Sequence, residues 1–325
     1  MRRRDFVKVF GGAAATWPFA AHAQSQHVPV VGVLSPEGPA TGNIDGLYKG
    51  LAELDYVEGQ NIRFEYRWAE GNFARLPELA SELVKLKVDL LVAFVTPSSL
   101  AAQRATSTIP IVMVGTADPV GLKIVASLAR PGGNITGTSS IAVDTVGKQF
   151  ELIKEIVGNP RRVSVIWNPS NPAFQAQQVR QAKAAGEALG MELQFHEASN
   201  PNDFGGAFEA VARDGNRAIV ILIDPLYMVH HRKLAVLSMQ SRLVHTMGFR
   251  PFAEAGGLMS FAPNYSDQYY RAAAYVDRIL KGTKPADLPV EQASKIELVI
   301  NQRTAKQLGI AIPAQLIVRA DEVIE

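Results

Sequence analysis

Two successive runs of alternating short apolar and longer amphipathic segments predict an α/β protein. It is expected to have two Rossmann-like lobes, each a parallel sheet flanked by helices. Three observations carry this. From residue 28 onward, strand-length apolar runs alternate with stretches of helical period. A strong stop at Arg130-Pro131-Gly132-Gly133 precedes a long helical stretch, after which the alternation starts again. Five strand ends share one form, a short polar residue then proline: Ser35-Pro36, Thr96-Pro97, Asp118-Pro119, Asn168-Pro169 and Asp224-Pro225. Proline pre-sets the φ of a first helical turn and lacks the N–H that such a turn leaves unpaired.

In order, 30–34 reads as a buried strand and 44–54 as a helix with apolar residues at 44, 47, 51 and 54. Segment 62–68 alternates, with Ile62, Phe64, Tyr66 and Trp68 on one face of a strand. A helix over 76–86, a strand over 88–95, a helix over 98–106 and a strand over 109–114 follow. Segment 120–128 reads as a helix and 135–138 as a short strand. The second run opens with a helix over 143–157. Strands are expected over 163–167, 192–196, 218–223, 244–247 and 257–261, with helices over 173–189, 203–213, 228–242 and 267–280. A strand over 295–300 and a helix over 303–308 close the chain. A single barrel of eight such units is the competing architecture, and the restart near residues 142–145 argues against it.

Residues 2–8 are basic and 9–20 apolar apart from Thr16, too short to span a bilayer, and Ala21-His22-Ala23 is a small-x-small cleavage pattern. Segment 1–23 is therefore expected to be a signal peptide. Arg3-Arg4-Asp5-Phe6-Val7-Lys8 resembles the twin-arginine export motif. Four of the 33 basic and one of the 31 acidic residues leave with it, so the mature chain carries 29 and 30. No basic stripe is left to suggest nucleic acid. No later apolar run reaches spanning length, so a soluble mature protein in the periplasm is expected.

The chain has no cysteine, which excludes disulfides, thiolate metal sites and a cysteine nucleophile. No Gly-x-Gly-x-x-Gly or P-loop follows a strand, so no nucleotide cofactor is expected. His230 and His231 are neighbours on an expected helix and diverge by about 100°. With no His-Glu-x-x-His present, no metal site is expected. Gly-x-Ser-x-Gly is absent as well, and the chain is not expected to be an enzyme.

Ligands of open α/β sheets bind outside the carboxyl ends of the strands. The candidate ligand-binding residues are therefore Ser35, Thr96, Ser98, Ser99, Asp118, Ser139, Ser140, Asn168, Asp224 and Tyr265. Hydroxyls at a helix start, such as Thr96, Ser98 and Ser99, suit a carboxylate; Ser139 and Ser140 offer the same. Asp118 and Asp224 would accept from an ammonium, and Asn168 both donates and accepts. Trp167, Tyr227, Phe249 and Tyr265 stand near these edges, where they either stack on a ligand or pack the core. Taken singly, each polar–proline site reads equally as a helix cap or turn former.

The strings Val31-Gly32-Val33-Leu34, Gly59-Gln60-Asn61-Ile62, Thr96-Pro97-Ser98, Asp118-Pro119-Val120, Arg130-Pro131-Gly132-Gly133-Asn134-Ile135-Thr136-Gly137 and Trp167-Asn168-Pro169 resemble one family jointly. So does the tail from Ile279-Leu280-Lys281-Gly282 through Pro289-Val290-Glu291, and the run Leu298-Val299-Ile300-Asn301. The family is the ABC transporter substrate-binding proteins of the tryptophan/tyrosine type, with the periplasmic-binding-protein-like I fold. The resemblance implies two lobes closing on a small-molecule ligand, delivered to an ABC permease and its ATPase subunit by a monomeric receptor. It also implies interleaved lobes: 28–142 with about 264–290, and 143–263 with about 291–325. The ligand expected is an amino acid or aromatic acid. A ligand-sensing subunit for a signalling receptor is the alternative, and an exported hydrolase a third. The first-strand loop, Ser35-Pro36-Glu37-Gly38-Pro39, departs from the family pattern. If Glu37 faces the cleft, it favours a cationic or hydrogen-bond-donating ligand.

Overall fold

The computed structural model describes residues 27–39 and 44–325; the expected signal segment lies outside the described residues. The first run of elements is β1 (Val30–Ser35), α1 (Asp45–Ala52), β2 (Arg63–Trp68), α2 (Leu76–Lys85), β3 (Leu90–Phe94), α3 (Val95–Ala105), β4 (Ile111–Ala117) and β5 (Ile135–Ser140). The second begins with α4 (Val146–Val157), β6 (Arg162–Trp167), α5 (Pro172–Leu189), β7 (Glu192–Glu197), α6 (Asp203–Arg213) and β8 (Ala218–Ile221). It goes on through α7 (Pro225–Val229), α8 (His231–Ser241), β9 (Val244–Met247), α9 (Arg250–Glu254) and β10 (Met259–Pro263). Last come α10 (Tyr265–Leu280), β11 (Glu291–Gln292), β12 (Ile296–Asn301), α11 (Gln302–Leu308), α12 (Ala314–Arg319) and β13 (Glu322–Ile324).

The strands form two sheets. The first runs β11-β5-β4-β3-β1-β2 and is parallel throughout. The second runs β13-β12-β10-β9-β8-β6-β7, with β10 and β12 as its antiparallel pair. Central strands such as β3 and β4 are buried along their whole length, as a sheet covered on both faces requires. Edge strand β2 keeps its alternation: Phe64, Tyr66 and Trp68 share one face and stack in a row, centroids 5.8 Å apart at each step.

The chain passes between the sheets at three places: 141–145 after β5, Asn264 after β10, and 293–295 between β11 and β12. After the second crossing α10 lies on α1 and β4. That approach is close because α1 presents Gly46 and Gly50, one helical turn apart. A Cβ at either would lie 2.4 Å from Ser266 O or 2.6 Å from Tyr270 O. One apolar cluster joins residues of both sheets, Val31 and Phe94 with Ile166 and Ile221 among them.

Four local expectations are corrected. Segment 120–128 is turns, not a helix. Asp118 and Lys123 have φ of +44° and +57°, and Ala126 N bonds forward to Pro131 O, so the helical ladder cannot propagate. The 228–242 helix is two, α7 and α8, broken at His230 with φ −103° and ψ 19°. Helix α3 begins three residues earlier than expected, at Val95, whose φ is +53°. Short elements α9, α12, β11 and β13 carried too little periodicity to be read.

Buried in β9, His245 has Nδ1 2.8 Å from Leu243 O and its ring edge-on to Phe252. Burial pushes its pKa down to about 4, against a smaller opposing effect of the carbonyl. The unfolded chain therefore takes up this proton first as pH falls. Its contribution is complete above about pH 6.5 and lost progressively as pH drops toward about 4. The difference is worth about 3 kcal/mol. We expect the stability lost between pH 7 and pH 4, read by urea unfolding, to shrink by about that amount in His245→Leu. An unchanged pH profile would contradict this.

Candidate functional site

The carboxyl ends of β3, β4 and β5 face the start of α5 and the β8–α7 turn across a cleft. Val95, Thr96, Gly115 and Ser140 line one wall; Phe174, Ile223 and Met228 line the other, with Tyr265 between. The enclosed space is small, about 20 Å³. Beside it lies a larger polar groove of about 410 Å³, bordered by Asp118, Ser139, Ser140, Gln177, Arg180 and Gln292.

The cleft is shaped by unusual backbone. Val95 is β-branched yet left-handed, and such strain persists only where the surroundings over-determine it. Gly115, with φ +64°, sits where the β4–β5 register shifts between Met113 and Thr116. Its N–H donates to Thr138 Oγ1 at 3.1 Å.

The candidate residues separate into three groups. Some serve the fold. Asp224 is fully buried; its carboxylate accepts from Asn168 Nδ2 at 3.0 Å, Asn171 Nδ2 at 2.9 Å, Gln175 Nε2 at 3.1 Å and Leu226 N at 3.0 Å. Burial raises its pKa, and these donors pull the other way. Asn168 completes this knot by accepting from Ser170 N. Ser99 pairs with Thr116 Oγ1 at 2.6 Å and donates to Val95 O, and Ser35 Oγ accepts from Glu37 N. These four are committed to protein partners.

A second group stands at the cleft, Thr96, Ser140 and Tyr265 lining it and Ser98 buried behind the lining. Thr96 Oγ1 accepts from Ala117 N at 3.0 Å, tying the ends of β3 and β4. Ser98 is wholly buried in the first turn of α3 and its hydroxyl has no protein partner. Tyr265 lines the cleft with Ser140, and its pKa is raised, chiefly by burial. The third group faces the groove. Asp118 accepts from Gly121 N and, across the lobes, from Gln177 Nε2 at 2.8 Å. The Ser139 hydroxyl is buried without a partner.

Of the four aromatics, Tyr265 lines the cleft. Tyr227 is core, its hydroxyl donating to Ala198 O, and Trp167 packs against the second sheet's apolar cluster. Phe249 lies edge-on behind Tyr265.

Sequence reading missed Gln268 and Tyr269. Gln268 is buried with neither end of its amide partnered, and its Oε1 is 3.3 Å from where a Gly115 Cβ would stand. Tyr269 stacks on Phe94 at 4.4 Å with its hydroxyl unpartnered, and burial and Glu37 raise its pKa. The available signal was the 265, 268, 269 spacing on one face of α10, which core packing also produces. Glu37 itself is buried. Among the described residues no group of three His, Asp or Glu gathers as a metal would need.

Two interleaved α/β sheets with polar strand ends meeting at an interlobe cleft define a two-lobed solute-binding protein of the type I periplasmic fold. Residues 28–324 match the family model for ABC transporter substrate binding proteins, and the chain belongs to that family. It is 29% identical over 278 residues to a tyrosine-binding protein of Clostridioides difficile, covering 82% of this chain and 76% of that one. A conserved domain protein of Vibrio cholerae superposes with a TM-score of 0.83 at 33% identity, covering 91% of this chain and 99% of the other. A Streptococcus pneumonia ABC domain in complex with L-Trp gives 0.81 at 28% identity, with the same coverage.

Proposed function

We propose that this protein is an exported receptor that captures an aromatic amino acid or aromatic acid between its lobes and delivers it to an ABC permease and its ATPase. The observation that carries this is a set of buried, unpartnered polar groups behind the first-sheet wall of the cleft: Ser98 Oγ next to the lining residues Thr96 and Pro97, the Gln268 amide against Gly115, and Tyr269 OH. Stranded polar groups cost about 1–3 kcal/mol each, and a polar ligand end would recover that. The opposite wall, Phe174, Ile223 and Met228, suits an apolar body. The first turn of α3 presents N–H groups and the Ser98 hydroxyl to a carboxylate. Relatives whose names record tyrosine and tryptophan binding support the aromatic choice. On this reading the signal segment is removed near Ala23 and the mature protein acts in the periplasm as a monomer. The lobes run 28–142 with about 264–290, and 143–263 with about 291–325.

The test is a thermal-shift panel of amino acids and aromatic acids, followed by calorimetry and analysis of the solution for product. Tyrosine, tryptophan or phenylalanine should raise the melting temperature without being consumed. Ser98→Ala should weaken binding about tenfold, the worth of one hydrogen bond to a charged group. Turnover of the ligand, or no shift with any aromatic compound, would sink the reading.

A further inference from the structure

We infer that the Asp118–Gln177 hydrogen bond is a latch that holds the lobes shut, and that its release is the step that admits ligand. The inference concerns the gating of the cleft and rests on the receptor reading above. The enclosed cleft measures about 20 Å³, room for little more than a water molecule. Sites that hold a small organic molecule enclose about 300–1,000 Å³. This conformation is therefore closed too far for an amino acid, and the two walls have to part before one enters.

The hydrogen bond stands where it sets the spacing of those walls. Asp118 directly follows Ala117, which lines the cleft at the carboxyl end of β4. Gln177 comes three residues after Phe174 of the opposite wall, on the same 18-residue helix α5. Gln177 Nε2 donates to Asp118 Oδ2 at 2.8 Å and so ties an element of one sheet to a helix of the other. A rotation that carries Phe174 away from Val95 and Thr96 carries Gln177 away from Asp118 with it.

Asp118 is held in place for this contact from its own side. Its φ is +44°, and Oδ1 accepts from Gly121 N at 3.0 Å, which leaves Oδ2 to Gln177. The backbone supplies the pivot. The chain passes between the sheets only through 141–145, Asn264 and 293–295, and domain hinges need no more than a few such loop or element-terminal residues. One hydrogen bond shifts a two-state equilibrium several-fold, enough to bias the lobes toward the closed form without trapping them there.

The test compares the mature protein with Gln177→Ala and with Gln177→Lys, which keeps a donor for Asp118. Gln177 is half-buried on a helix and alanine is the best helix former, so the first variant is expected to fold. Amide hydrogen exchange reads the opening with no ligand added. Exchange around Thr96 and Met228, on the two walls, should be about fivefold faster in Gln177→Ala and parental in Gln177→Lys, while α2, away from the cleft, should not change. Where entry follows opening, association is proportional to the open fraction. Stopped-flow mixing with L-tyrosine should therefore show association about fivefold faster in Gln177→Ala and parental in Gln177→Lys. Parental exchange at both walls of Gln177→Ala would overturn the latch. Faster exchange with unchanged association would overturn opening as the admitting step. Binding of L-tyrosine to none of the three would count against the receptor reading, and the exchange rates alone would then decide the latch.

Discussion

Gly137→Ala is expected to cost about 4 kcal/mol or more, among the largest effects a single methyl group can have. Gly137 lies in β5 at φ +130°, a conformation open in practice to glycine alone. A Cβ there would stand 2.0 Å from Met113 O and 2.9 Å from Met113 N. Both atoms are backbone of the neighbouring central strand, so no side chain can swing aside. Relief requires β5 to move off β4, beside the register shift that places Gly115 at the cleft. Since domains are stable by only about 5–15 kcal/mol, the loss should be plain in a denaturant titration. Gly133→Ala is the control: nothing lies within 4 Å of its Cβ position, and it should stay within about 0.5 kcal/mol of the parent. Equal midpoints for the two variants would mean that β4 and β5 have slack where the geometry shows none. The same contrast explains part of the Arg130-to-Gly137 string, in which one glycine is needed for close strand approach and another sits in open space.

The architecture was legible because strand and helix periods differ and the punctuation between them was strong. The restart after Gly133 and the alternation of Phe64, Tyr66 and Trp68 needed no knowledge of distant contacts. Segment 120–128 misled because its apolar residues do pack into the core, with Ile124 and Val125 buried, but from turns. Periodicity reports burial; it does not report that Asp118 and Lys123 are left-handed. The site was legible only at its rims. Polar residues before proline mark where strands end, and Thr96, Ser98 and Ser140 do sit near the cleft. Whether such a residue looks into the cleft or into the fold depends on partners far along the chain. Asn168, Asn171 and Gln175 close on Asp224 from 49 to 56 residues away. Gln268 and Tyr269 arrive from the other direction, on a helix that crosses back from the second sheet.

Asp224→Ala therefore separates the two roles this residue can have. With the carboxylate gone, Asn168 Nδ2, Asn171 Nδ2 and Leu226 N lose a buried acceptor, while Gln175 Nε2 keeps Ile223 O at 2.9 Å. Stranding three donors at about 1–3 kcal/mol each is offset in part by no longer burying a charge. Burial does raise the Asp224 pKa despite its four donors, so that offset is real. The net expectation is a loss of about 4 kcal/mol from the ligand-free protein. Asp224→Asn should lose less, since one oxygen still accepts. Affinity for an aromatic ligand, measured below the variant's melting range, should stay close to the parent's, because none of the four donors is the ligand. The opposite pattern, stability held and affinity lost, would make Asp224 the partner of a ligand amine. The Asn168–Asp224 knot would then belong to the binding surface, and the second lobe would contribute charge as well as apolar cover to the site.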